Sequence, residues 1–127
     1  MERVLKMISL QVCIANTDSD AYFTKYQERF VALDVQSSVC HLIRYDENIV
    51  GIEEHFHHDG VVDSSFALTE KITSQDAVDL IAVLLETYIR RYHCVRIVFH
   101  TKDEQLIEAY LANAVRCENL QFVYDVE

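Results

Sequence analysis

The chain has 127 residues, half of them hydrophobic, with 21 acidic against 11 basic side chains and a net charge of −10. That length carries one core large enough to fold alone, and that hydrophobic share excludes a disordered tail. The acidic excess argues against a nucleic-acid phosphate backbone as partner, which needs clustered Lys and Arg, and fits either plain solubility or a basic protein surface.

Residues 4–15, "VLKMISLQVCIA", read as a strand. "NTDSDAYFTKYQERFVAL" follows as a helix, capped by Asp18 or Ser19, with Tyr22, Phe23, Tyr26 and Phe30 on one side. "SSVCHLIRYD", "NIVGIEEHFHH" and "VVDSSFALTE" read as three strands, with tight turns at Glu47-Asn48 and Asp59-Gly60. "TSQDAVDLIAVLLE" opens a helix that runs to about Tyr92, capped by Thr73 or Ser74 and carrying Asp76 and Asp79 near its positive end. Its buried face comprises Ala77, Leu80, Ile81, Leu84 and Tyr88. The strand "VRIVFHT", a second helix "KDEQLIEAYLANA" and a hairpin turning at Glu118-Asn119 complete the chain. Proline is absent, and no linker or internal repeat divides residues 1–127.

No apolar run approaches the ~18 residues of a membrane span, and no secretory signal precedes the first strand. Cys13, Cys40, Cys94 and Cys117 stand far apart without a CxxC pair. Reduced, buried thiols and a cytoplasmic or nuclear address are expected.

Three strands in succession pair only as an antiparallel meander, so the expected class is α+β, in one domain with helices packed on a mixed sheet. The order β-α-β-β-β-α-β-α-β with a terminal strand resembles the GCN5-related acetyltransferase fold, and Tyr110 stands near the place where many members keep a general acid. Such enzymes hold the coenzyme pyrophosphate on a glycine-rich turn opening a helix. Here "DAVDLI" offers side chains at every position and two carboxylates. The helix therefore reads as a poor coenzyme site and Tyr110 as a packing residue.

"EEHFHHD" places Glu53, His55 and His57 on one strand face, where two imidazoles and a carboxylate could ligate a metal. "HFH", with Tyr88 and Tyr92 four apart on a helix, also resembles the histidine pair of rolling-circle nucleases, although the acidic charge and element order differ. An exposed polar strand face running into a turn accounts for the same residues and is the expectation.

"DLIAVLLE" followed by "VFHTKDE" resembles the C-terminal domain of ornithine decarboxylase antizyme, an acetyltransferase-like fold without the coenzyme loop. The resemblance runs through Asp79, Ala82 to Glu86, Phe99-His100 and the closing "FVYDVE". Arg90, Arg91 and Thr101 depart from the animal pattern. The resemblance implies a non-catalytic regulator, without cofactor or metal, that binds the ornithine decarboxylase monomer one to one and delivers it to the proteasome. It also implies antizyme inhibitor as a further partner, polyamine control and a frameshift that lies in the message. Asp79, Glu86, Arg90, Lys102 and Asp103 are the expected partner-binding residues. A divergent GCN5-related N-acetyltransferase and an acidic inhibitor of another basic protein are the alternatives; neither nucleic acid nor membrane is expected as a partner.

Overall fold

A computed structural model describes residues 8–12, 39–46, 48–101, 104–118 and 121–126. Seven strands form one mixed sheet in the order β1-β2-β3-β4-β5-β7-β6. They are β1 (Ile8–Val12), β2 (Val39–Tyr45), β3 (Asn48–His58), β4 (Val61–Leu68), β5 (Arg96–His100), β6 (Arg116–Glu118) and β7 (Gln121–Asp125). The helix expected near residues 18–33, Cys13, and the turn residues Glu47 and Asn119 lie outside the described residues. The α+β class holds, and the described elements follow the expected order.

Strands β1 to β4 pair antiparallel, as the uninterrupted meander requires. The β3–β4 turn follows from its sequence, because Asp59 and Gly60 both take positive φ. β4 and β5 pair parallel, the connection being the long helix α1 (Ser74–Tyr92). Thr73 caps α1 by accepting from the Asp76 amide at 3.1 Å, and His93 ends it in the left-handed conformation. Ala77, Leu80, Ile81, Leu84 and Tyr88 are buried as their spacing predicts, and Leu85 is buried beside them. A 3-10 turn (Glu104–Leu106) leads into the short helix α2 (Ile107–Ala112).

The core lies between α1, α2 and one sheet face, which supplies Ile43, Tyr45, Val62, Phe66, Ile97 and Phe99. Tyr110 of α2 is wholly buried there, 4.8 Å from the Phe99 ring and 5.0 Å from Phe122. Among the described cysteines Cys94 is buried as expected and Cys40 part-buried, whereas Cys117 is exposed on the hairpin.

Candidate functional site

Two features of the sheet position chemistry. The first is an opening between β4 and β5. Among the described residues their parallel ladder ends at Ser65 opposite His100, while β4 continues through Phe66, Ala67 and Leu68 in register with β3. Past Ser65 the described rungs of β4 and β5 stop, and the edge of a strand at such a divergence is the kind that takes an extended amide-bearing molecule.

At the mouth of this opening, His100 donates from Nε2 to Asp63 Oδ1 at 2.9 Å, and His58 donates from Nε2 to Oδ2 at 2.5 Å. His100 holds the Asp63 carboxyl below its usual range; desolvation opposes this and His58 adds to it. A carboxylate can only accept, so the His100 proton in this bond sits on Nε2 and the imidazole turns its Nδ1 edge outward from Asp63. His100 is part-buried and reachable.

Beyond the opening lies the start of α1. A hollow of about 400 Å³ is lined by Lys71, Ile72, Thr73, Ser74, Ala77, Glu104 and Glu108. The Ser74 and Gln75 amides head the helix, where no intrahelical acceptor exists, and they are fit to receive an anion. The two-carboxylate objection drawn from "DAVDLI" is corrected in part. Asp76 is the acidic residue of the first turn, whereas Asp79 lies a turn further on and accepts from Gln75 at 3.0 Å. Glu104 and Glu108 take over as the opposing charges, with Lys71 as the cation on the same hollow. A diphosphate fits this cradle through amides and Lys71, against two carboxylates.

The second feature lies on the opposite sheet face, under α1. Glu53 and His55 are 0% and 1% exposed, which overturns the expectation of a solvated polar strand face. The alternation was right, since His57 shares their side, stacked on Tyr92 at 4.7 Å. What the sequence reading missed is His41, the register partner of Glu53 across β2 and β3. His41 Nδ1 reaches Glu53 Oε2 and His55 Nδ1 reaches Oε1, both at 2.5 Å. Tyr88 donates to Oε1 at 2.8 Å, Ser64 donates to the Tyr88 oxygen at 2.6 Å, and Tyr92 stands 2.7 Å from His55 Nε2. Desolvation pushes the Glu53 carboxyl upward, but the bonds and charges from His41 and His55 outweigh it and hold the group low.

The expected partner-binding residues are not gathered into either feature. Glu86 is exposed and pairs with Arg90 one turn on, as its rotation away from buried Leu84 predicts. Asp79 is part-exposed on α1, and Lys102 and Asp103 lie outside the described residues.

The sequence matches no protein-family model and no curated protein. Solved structures do match. The N-acetyltransferase PseH of Campylobacter jejuni, in complex with acetyl coenzyme A, aligns over 95% of this chain and 100% of its own, with TM-score 0.71 and 9% identity. The aminoglycoside acetyltransferase AAC(6')-Ib with acetyl-CoA covers 92% and 93%, with TM-score 0.70 and 10% identity. A GNAT family acetyltransferase of Elizabethkingia anophelis with acetyl-CoA bound covers 94% and 98%, with TM-score 0.58 and 14% identity. The fold is that of GNAT acetyltransferases. This overturns the antizyme reading and, with it, the non-catalytic inhibitor of ornithine decarboxylase. The matched pattern over residues 73–127 is the amphipathic helix, strand and helix that the acetyltransferase fold itself imposes.

Proposed function

We propose that this chain is a divergent acyltransferase that moves an acyl group from an acyl-CoA thioester to a basic amine. The observation that carries this reading is the β4–β5 opening with the His100–Asp63 pair at its mouth. The coenzyme complexes of neighbouring folds support it.

The end of β4 past Ser65 would hold the amide arm of the coenzyme, and the Ser74 and Gln75 amides with Lys71 would hold its phosphates. When bound, the coenzyme would supply the activated thioester acyl group and would leave as its free thiol. His100 Nδ1 takes the proton that the amine nitrogen sheds, and Asp63 stabilises the resulting imidazolium. Tyr110 packs beneath the opening among Phe66, Phe99 and Phe122. The net charge of −10 draws a cationic amine toward the protein, an effect that salt weakens.

The test is thiol release from acetyl-CoA and longer acyl-CoAs with a panel of amines. Turnover that falls by about 100-fold or more in His100→Ala, as loss of a positioned base entails, supports the reading. Absence of both turnover and an acyl-CoA-induced rise in melting temperature overturns it.

A further inference from the structure

The buried cluster under α1 plays no part in that reaction, and it has the makings of a separate site. We infer that His41 Nδ1, the Glu53 carboxylate and His55 Nδ1 bind one divalent transition-metal ion of the zinc type.

Backbone register comes first. His41 and Glu53 are direct partners on adjacent strands, and His55 lies two residues beyond Glu53 on the same face. The sheet therefore aims all three side chains at one point beneath α1, with ligand atoms within 4.8 Å of one another. The two imidazoles are stacked 5.4 Å apart with their planes 8° from parallel, and their Nδ1 atoms meet the two oxygens of the carboxylate between them. Tetrahedral zinc bonds of roughly 2.0–2.2 Å place neighbouring ligand atoms about 3.4 Å apart. To bind the ion, the 2.5 Å contacts must widen and the ligand atoms up to 4.8 Å apart must close to that spacing.

Charge comes second. Glu53 is fully buried, and its described partners are two imidazoles and a phenol. A buried carboxylate is costly without a cation beside it. Two neutral imidazole nitrogens and one carboxylate oxygen form a common donor set for zinc, with a fourth position left for water.

The surroundings come third. Metal-bound imidazoles hold their second nitrogen on an outer partner, and ligating carboxylates accept further hydrogen bonds. His55 presents Nε2 to the Tyr92 oxygen at 2.7 Å, and Glu53 Oε1 accepts from Tyr88, which Ser64 holds in turn. Coordination at Nδ1 puts the His55 proton on Nε2, where the Tyr92 oxygen accepts it. Tyr92 is part-exposed, and His57 stacks on it, so the path from solvent runs along this end of α1.

The experiment is calorimetric titration of the EDTA-treated chain with zinc, followed by cobalt substitution and absorption spectroscopy. One equivalent should bind with micromolar or tighter affinity, raise the melting temperature, and give a cobalt spectrum of a low-coordinate nitrogen–oxygen site. Removing an outer partner costs about 10–100-fold in affinity, so Tyr92→Phe should lose about 10-fold or more and His55→Gln at least about 100-fold. Because Tyr92 is part-exposed, its variant tests the site even if His55→Gln fails to fold. Asp63→Asn, on the other face, should leave binding intact. The inference is overturned if zinc fails to bind stoichiometrically to the unaltered chain. It is equally overturned if Asp63→Asn, rather than Tyr92→Phe, removes the binding.

Discussion

The Tyr45 hydroxyl donates to the backbone carbonyl of Asp76 at 2.5 Å, joining the end of β2 to the first turn of α1. Desolvation of the phenol, with Asp76 and Asp79 nearby, raises its pKa well above the ordinary value, so it stays a neutral donor. Through this one bond the sheet fixes where the helix start sits. Tyr45→Phe should lower stability by about 1 kcal/mol, the usual net worth of such a bond. Urea melts should show a lower midpoint with an unchanged slope.

Gly51 sits at the bulge where the β2–β3 register shifts, between the pairs Ile43–Gly51 and Arg44–Ile49. A Cβ there would lie 2.9 Å from the Ala67 carbonyl oxygen and 3.3 Å from Ile43 Cδ1. The carbonyl belongs to the paired neighbour β4 and has little room to retreat. Gly51→Ala should destabilise by about 1–3 kcal/mol, the cost typical of overpacking. A midpoint equal to that of the unaltered chain would show that the strands yield there.

Tyr88→Phe removes a donor from buried Glu53 and leaves the Ser64 hydroxyl without its partner. Stranding such groups costs about 1–3 kcal/mol. A Ser64→Ala/Tyr88→Phe double variant should lose less than the sum of the single losses, because the two share one bond. Thermal melts of the four proteins measure this directly.

Asp63 is held low mainly by its hydrogen bond from His100. A carboxyl with a depressed folded-state pKa contributes stability above its unfolded value, near pH ~4, and that contribution disappears as pH falls through the folded value. The gap in melting temperature between the native chain and Asp63→Asn should therefore be present above pH ~4 and close below it. A gap constant through the acid range would mean that the carboxyl is not depressed.

If acyl-CoA phosphates lie at the start of α1, Glu104 and Glu108 oppose them across the hollow. Glu108→Lys should then tighten acyl-CoA binding about 3–10-fold at low salt, with the gain fading toward 1 M salt as the Debye length shrinks to ~3 Å. Unchanged affinity at low salt would place the phosphates elsewhere.

Much of this architecture is legible from spacing alone. The period-two strands, the capped amphipathic helix and the Asp59-Gly60 turn come from local preferences, and local preferences decide those elements. The burial of Glu53 and His55 is not legible in the same way. Alternation assigns Glu53, His55 and His57 to one face, but only the β2–β3 register shows that His41 completes the group. One signal was available: Tyr88 and Tyr92 continue the buried stripe of α1 with hydroxyl-bearing rings, and a buried hydroxyl needs a polar partner opposite. The functional error has a similar origin. An amphipathic helix followed by a strand and a second helix is a requirement of the fold, so likeness over that stretch carries little information about activity. The β4–β5 opening is likewise invisible in sequence, because nothing in "VVDSSFAL" marks Ser65 as the last rung.

The parallel seam between β4 and β5 also governs the order in which the molecule assembles. The meander from β2 to β4 closes through short hairpins, which need little chain entropy and form early. The β4–β5 seam must wait until the whole of α1 has crossed over the sheet, and β7 with β6 can add only to a β5 already in place. Refolding should be limited by that docking step. A chain interrupted before β5 would present the bare edge of β4 as a template for another copy, which makes the segment from β5 onward the guard against self-association during synthesis.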